Sequence, residues 1–134
     1  MKSSRSKISK KRQQFSADIT SIIDRERMLA IKAGTGDHRF LGIWAVVVKG
    51  RVFVRSWSLK PRSWYRTFLE EPRGAIIVDG VEIAVRALHP RVKRLIDDVD
   101  RAYLEKYKTP GSIKYARDLG RAKSRATTTE LVPA

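Results

Sequence analysis

Two pairs of turn residues constrain the fold of this chain more than any other feature. Asp79-Gly80 and Lys49-Gly50 each stand between runs rich in β-branched and aromatic residues. Such pairs suit the positive φ angles of two-residue hairpin turns. We therefore predict two β-hairpins, one pairing residues 40–48 with 51–56 and the other pairing 75–78 with 81–88.

The strand after the first of these turns alternates between two kinds of side chain. Successive residues of a strand point to opposite faces of a sheet. Arg51, Phe53 and Arg55 therefore share one face, and the intervening valines lie on the other. We expect the valine face to be buried and the arginine face to carry charge.

Apolar residues at helical spacing predict three helices. The first follows Ser16 or Asp18 as N-cap and precedes a strand near residues 28–33, the second runs from Pro61 to Glu70, and the longest covers 92–107. Residues 34–37 are turn formers. A basic stretch to residue 125 is expected to be mobile, and 126–132 has the β-propensity of a last strand.

These elements predict one β-rich α+β domain over residues 16–134, in which a small barrel carries flanking helices. A chain of 134 residues with 42% hydrophobic content is large enough to bury a core without cross-links. A strand near the C-terminus can close a sheet that would otherwise expose an edge. A small barrel is therefore the predicted architecture.

Net charge and composition indicate the kind of partner and the cellular compartment to expect. The net charge of +15 favours negatively charged partners. Residues 1–15 form a basic tail without acidic residues before Ser16, which predicts disorder and leaves a nucleic-acid arm as the alternative. The chain lacks cysteine, a secretory core and any run long enough to cross a bilayer, so we expect a cytoplasmic protein without membrane contact.

Residues 55–65 concentrate the chemistry of the chain. This segment holds three cations, three serines and three aromatic residues. Guanidinium forks, ammonium groups and hydroxyls bind phosphate, so Arg55, Lys60 and Arg62 predict a phosphate site, with a ligand ring stacked on Trp57 or Trp64. The alternative is that Trp64 packs in the core and that the cations form a solvated rim.

Other polar groups give weaker signals. His38 and His89 are the only histidines, too few for a metal site or a catalytic triad. Asp97, Asp98 and Asp100 are expected on the solvated side of the longest helix. No metal site and no catalytic residue can be named, so any redox chemistry would have to come from a bound cofactor.

Several blocks in order resemble a known bacterial family. They are Ile43 to Val48, Val52 to Ser56, Trp64-Tyr65, Gly80-Val81-Glu82 and the closing Ala126-Thr127-Thr128 with Leu131-Val132-Pro133. From about Ile19 onward the chain is identified by them as a member of domain of unknown function 2255. That family has no established activity.

A more distant resemblance carries an expected function. Residues 54–80 resemble the deazaflavin-dependent nitroreductases, and Lys60 to Ser63 with Glu71-Pro72-Arg73 is similar to motifs of the pyridoxamine-phosphate oxidases. Both groups are split β-barrels that bind a flavin-type cofactor, commonly at a dimer interface. The nitroreductases have glycines where this chain has Trp57 and Ser58.

The resemblance implies a homodimeric split barrel of the FMN-binding type. It places the cofactor phosphate on Arg55, Ser56, Lys60 and Arg62, with Trp44 and Trp64 shaping the cleft. The implied function is that of an oxidoreductase that binds FMN or a deazaflavin and acts on an unknown small molecule. Two alternatives remain, a basic nucleic-acid-binding module and a split-barrel interaction domain without a cofactor.

Overall fold

A computed structural model describes residues 14–37 and 39–134. The predicted tail lies outside them except for Gln14 and Phe15, and Phe15 packs against the core. In chain order the elements are α1 (Ala17–Arg25), β1 (Leu29–Ala33), β2 (Leu41–Ile43), β3 (Ala45–Val48), β4 (Arg51–Val54), α2 (Trp64–Glu70), β5 (Arg73–Val78), β6 (Val81–Leu88), α3 (Lys93–Lys106), α4 (Ile113–Asp118), α5 (Ala122–Arg125) and β7 (Thr129–Pro133).

The seven strands form one antiparallel sheet that curls into a nearly closed barrel. Their order is β2-β1-β5-β6-β7-β4-β3. The two edge strands, β2 and β3, are consecutive in the chain and are separated by Trp44 alone. Because one residue joins the opposite edges, the sheet has to bend until those edges approach each other at Trp44. This confirms the predicted β-rich α+β split barrel with flanking helices.

Both predicted hairpins are confirmed, together with their turn chemistry. Lys49 and Gly50 have φ angles of 54° and 76°, and Asp79 and Gly80 have 52° and 77°. Positive φ at both central residues is the requirement of a type I′ turn, whose twist matches that of the flanking strands. The strands pair directly at each turn, Val48 with Arg51 and Val78 with Val81.

The last strand, β7, lies in the interior of the sheet. It pairs with β6 on one side and with β4 on the other, so Leu131 stands opposite both Ala87 and Val52. The predicted strand near the C-terminus is present, although it begins at Thr129. Its role is to join the two hairpins.

The buried side chains form two cores, which lie on opposite faces of the sheet. The barrel core consists mainly of aliphatic side chains, and the helix core packs beneath α3 and is rich in aromatic rings. The buried members of the barrel core are Ile23, Leu29, Ile31, Ala33, Ala45, Val52, Val54, Trp64, Phe68, Ile76, Val78, Val85, Ala87 and Leu131. Those of the helix core are Trp44, Val46, Phe53, Leu95, Val99, Tyr103, Tyr107, Ala116 and Leu119.

Three local predictions are wrong. Residues 108–125, expected to be mobile, contain α4 and α5, which bury Ala116 and Ser124. The strand predicted over 40–48 breaks at Trp44, where the sheet turns from one edge to the other. The second helix begins at Trp64 because the Ser63 hydroxyl accepts the Arg66 N–H and caps it.

The predicted charged face of β4 is also wrong, because α3 covers it. Phe53 is fully buried and Arg55 is nearly so. Arg51 forms two hydrogen bonds to the carboxylate of buried Glu130 on β7, at 2.9 and 3.0 Å. Alternation along a strand sorts residues into two faces, but the packing of a distant helix decides which face reaches water.

Candidate functional site

A cleft of about 510 Å³ lies between β1, β2 and the beginning of α2. Its volume is in the range of small-molecule sites, roughly 300–1,000 Å³. We call it the arginine cleft, because two arginines line it beside an apolar wall. Its lining residues are Ile31, Ala33, Arg39, Leu41, Pro61, Arg62, Trp64 and Thr67.

Local hydrogen bonds fix the wall of the arginine cleft that α2 supplies. The Ser63 N–H donates to the carbonyl of Lys60 at 2.9 Å and closes the turn that holds Pro61 and Arg62. The Thr67 hydroxyl donates to the Ser63 carbonyl at 3.2 Å. The residues of this wall therefore have defined positions at the start of the helix.

A glycine allows α2 to lie close to the sheet. A Cβ at Gly74 on β5 would stand 2.4 Å from the carbonyl oxygen of Lys32 and 2.8 Å from the ring of Phe68. Phe68 and Trp64 pack edge to face, with ring centroids 6.1 Å apart. The missing side chain thus brings the helix, and with it the tryptophan wall, against the barrel.

The arginine cleft is electropositive. Arg39 and Arg62 are both exposed, and neither joins an ion pair within residues 14–37 and 39–134. Among the residues that the structure describes, no carboxylate lines the cleft. Exposed guanidinium groups of this kind are suited to bind a phosphate or a carboxylate through paired hydrogen bonds.

Arg55 lies elsewhere and directs its guanidinium into the protein. Nε donates to the Thr128 hydroxyl at 2.8 Å, Nη2 donates to the carbonyl of Ile96 at 3.0 Å, and Nη1 donates to the Leu119 carbonyl at 2.9 Å and to a carboxylate oxygen of Asp100. Burial lowers the pKa of Arg55, although Asp100 opposes that shift. This arginine joins β4 to α3 and to the segments around β7.

The remaining predicted ligands have separate environments. The buried Ser56 hydroxyl donates to the carbonyl of Ser58 at 2.7 Å and accepts the Ser58 N–H at 3.0 Å, so it closes a tight turn after β4. Lys60 is exposed and has no ion pair in the described part of the chain. Trp44 stacks on Tyr107 with centroids 3.9 Å apart, in the helix core.

The structure therefore brings only part of the predicted set into one cleft. Arg62 and Trp64 line it together, whereas Trp44 and Arg55 belong to the far side of the sheet. Arg39 was missed by sequence reasoning, because residues 34–37 were interpreted as a turn alone. The sequence signal that could have identified Arg39 is a cation directly after the turn, just before the chain enters β2 and runs antiparallel to β1.

The predicted carboxylate face of α3 is partly wrong. All three carboxylates, Asp97, Asp98 and Asp100, are half-buried. Asp97 and Asp100 form ion pairs with Arg125, Asp100 also pairs with Arg55, and Asp98 pairs with Arg101 and Lys49. Hydrogen bonds from Lys93 and Arg125 lower the pKa of Asp97. His38 lies outside the described residues, and within them no group of three or more His, Cys, Asp or Glu side chains could hold a metal ion.

The curled seven-stranded sheet and its flanking helices define a split-barrel protein. Residues 18–131 match the bacterial family described as "Uncharacterized protein conserved in bacteria (DUF2255)", and the chain belongs to this family. None of the curated proteins matches the chain. In the described residues, no helix is long and apolar enough to pass through a bilayer.

The fold is also found among solved structures. One of these is a conserved hypothetical protein from Mycobacterium tuberculosis, with 13% sequence identity and a TM-score of 0.55. The similarity covers 90% of this chain and 79% of that one. At this level of identity the likeness concerns the fold alone.

Proposed function

We propose that this protein binds a phosphorylated flavin-type cofactor, either FMN or a deazaflavin, in the arginine cleft. The observation that carries the proposal is the pair of exposed arginines without ion pairs on a cleft of about 510 Å³ with an apolar wall. Cofactor sites combine a mostly apolar surface with a few polar groups that fix orientation. A phosphorylated ring system needs an apolar surface for its ring and polar or cationic groups for its phosphate.

Each residue of the arginine cleft has a distinct role in this proposal. Arg62 and Arg39 bind the phosphate through their guanidinium groups. Trp64 and Ile31 form the apolar wall against which the ring system lies. Arg55 supports the site indirectly, because its hydrogen bonds hold β4 immediately before the turn that leads to Lys60.

Two features favour a cleft that can accept such a group. Trp57, which replaces a glycine of the nitroreductases, contacts Trp44 and Tyr115 and does not line the arginine cleft. The described lining of the cleft also contains no carboxylate that would repel a phosphate. When bound, the cofactor would supply hydride or electron transfer to a small-molecule substrate.

The proposal includes a homodimer. Leu41 is more than half exposed and belongs to β2, at one edge of the barrel beside the cleft. An exposed strand edge with a large apolar side chain is a surface that a second subunit can cover. Light scattering coupled to size exclusion measures the mass directly, and a monomer at micromolar concentration contradicts this part of the proposal.

A titration tests cofactor binding. The purified full-length protein is first examined by visible absorption, and then titrated with FMN and with a deazaflavin at moderate salt while cofactor fluorescence is recorded. Saturable binding is expected. Arg62→Ala and Arg39→Ala should each weaken it at least about tenfold, since a charge-assisted hydrogen bond contributes roughly 1.5–3 kcal/mol.

Arg86→Ala is the matched control. Arg86 is an exposed arginine on β6 outside the cleft, and its removal lowers the net charge by the same amount. An equal loss of affinity in all three variants would mean that general charge attraction, and not the arginine cleft, explains the effect of the substitutions. No binding of either cofactor by the wild-type protein contradicts the proposal and favours the split-barrel interaction domain.

A further inference from the structure

Four aromatic rings form a continuous strip away from the arginine cleft. Tyr115 meets Trp57 edge to face with centroids 6.5 Å apart, and Trp57 meets Trp44 in the same way at 5.6 Å. Trp44 in turn stacks on Tyr107. The inner two rings are buried, whereas Trp57 and Tyr115 are 41% and 46% exposed. Trp57 and Tyr115 are therefore presented to solvent, and Trp57 packs on the buried ring of Trp44.

Cations accompany this aromatic strip at both ends. The Lys114 ammonium lies 5.1 Å from the centroid of Tyr115, and the Arg27 guanidinium lies 5.3 Å from that of Trp44. Arg27 donates a hydrogen bond to the Ser112 hydroxyl at 3.0 Å, which fixes it beside the loop before α4. Cations therefore lie beside both an exposed and a buried ring of the strip.

The segment that carries Tyr115 has a net positive charge. Residues 108–125 contain six lysines and arginines and one carboxylate, Asp118. Asp118 pairs with Arg121, and Arg125 pairs with α3. In the part of the chain that the structure describes, Lys114, Arg117 and Lys123 have no ion pair, and all three are exposed.

We propose that the aromatic strip and the cations of α4 and α5 bind single-stranded nucleic acid. Proteins that hold single strands stack the bases on exposed aromatic rings and place the phosphates on nearby cations. Trp57 and Tyr115 supply the rings, and Lys114 with Arg117 and Lys123 supplies the charge. Only unpaired bases offer their faces, so a duplex lacks the stacking contribution.

Charge favours this occupant over a second copy of the chain. Two copies that met through this surface would bring together the unpaired cations of both, in a protein whose net charge is +15. A polyanion gains from the same charges and releases counterions as it binds. Exposed rings with Lys114 and Arg27 beside the strip are complementary to a chain of bases and phosphates.

Fluorescence anisotropy measures this binding on the full-length protein. The probes are labelled single strands of RNA and of DNA of about 12 nucleotides, and the corresponding duplexes. Single strands should bind more tightly than duplexes, with an affinity that falls as salt increases. Comparison of the two single-strand affinities shows whether the protein prefers RNA or DNA.

Variants of the two outer rings test the stacking. Trp57→Ala and Tyr115→Ala should each weaken single-strand binding about tenfold, which corresponds to stacking one base. Trp57→Phe keeps a ring and should retain most of the affinity, while the quenching of tryptophan fluorescence by the oligonucleotide decreases. Leu69→Ala, at a residue 49% exposed on α2, is the control for loss of an exposed apolar side chain.

Three results would overturn the proposal. They are unchanged single-strand affinity in both alanine variants, duplex binding as tight as single-strand binding, and self-association of the protein alone that Trp57→Ala abolishes. The outcome is independent of the arginine cleft, because Arg62→Ala should leave oligonucleotide binding unchanged and Trp57→Ala should leave the FMN titration unchanged. Urea unfolding of each variant establishes that it is folded.

Discussion

The barrel core and the helix core are held together by different forces. In the barrel core, aliphatic residues such as Ile31, Ile76 and Leu131 are buried without polar atoms, so their contribution depends on area and fit alone. The helix core contains the hydroxyls of Tyr103 and Tyr107 and adjoins the guanidinium of Arg55, all of them hydrogen-bonded. The stability of the helix core therefore also depends on the geometry of these hydrogen bonds and on charge.

This difference predicts how each part responds to change. An aliphatic core tolerates replacements that keep its volume, because neighbouring side chains can adjust. A polar contact at a buried site tolerates little, because the partner that remains has lost both water and its hydrogen bond. Substitutions of similar size should therefore cost more beneath α3 than inside the barrel.

The largest effect is expected from Arg55→Leu. The substitution removes the donor of the Ile96 and Leu119 carbonyls and one of the two arginines that pair with Asp100. Breaking an ion pair whose arginine is fully buried costs about 3–5 kcal/mol, and urea unfolding measures the loss. Arg101→Ala removes a pair with Asp98 in which the arginine is exposed, and Asp98 keeps Lys49 nearby, so the cost should be less than about 1 kcal/mol; equal costs would contradict the assigned role of Arg55.

Gly74→Ala should also destabilise the fold, on the barrel side. The added methyl group would meet the backbone of β1 as well as Phe68, and the backbone cannot rotate away. Overpacking of this kind costs about 1–3 kcal/mol. Gly111→Ala, where nothing stands within 4 Å, is the control. A neutral result at Gly74 in thermal unfolding would mean that α2 can move outward without loss.

Tyr103→Phe tests the directional part of the helix core with almost no change in volume. The hydroxyl of Tyr103 donates to the Trp44 carbonyl at 2.9 Å in a fully buried position. Leaving that carbonyl without a donor should cost about 1–3 kcal/mol. Chemical denaturation of the variant beside the wild type gives this value, and a stability unchanged within error would contradict it.

Ile76→Val provides the matched test inside the barrel. Ile76 is fully buried on β5, and the variant loses one methylene group. The expected cost is about 1 kcal/mol, within the usual range of roughly 0.5–1.5. A cost greater than that of Tyr103→Phe would reverse the proposed order of the two cores.

The smallest effect concerns alkaline pH. Burial raises the pKa of Tyr107 from 10.0 to about 12, so the folded protein keeps a proton that the unfolded chain has lost. The contribution of Tyr107 is therefore complete below pH 10 and is lost as pH rises toward 12. Between these values, stability should fall less steeply in Tyr107→Phe than in the wild type; identical slopes would contradict this.

The parts of the fold that local chemistry decides could be predicted from the sequence. The turns at Lys49-Gly50 and Asp79-Gly80 depend on two residues each, and the longest helix depends on a repeat that is visible in one segment. Both were predicted correctly. The barrel followed from the number of strands and from the resemblance of ordered blocks.

The environment of Arg55 could not be predicted in this way. Its partners Asp100, Leu119 and Thr128 lie 45, 64 and 73 positions away in the chain. Strand alternation placed Arg55 on the charged face, and helical periodicity placed Asp100 toward water. Each inference was reasonable for an isolated element, and the docking of α3 on β4 changed both at once.

The interior position of β7 has a consequence for synthesis on the ribosome. Without Thr129–Pro133 the strands separate into a four-stranded sheet, β2-β1-β5-β6, and the hairpin of β3 and β4. Chains are made from the N-terminus at roughly 5–20 residues per second. Of the described strands, the one that unites the barrel therefore leaves the exit tunnel last, and until then β4 and β6 lack the partner that covers their edges.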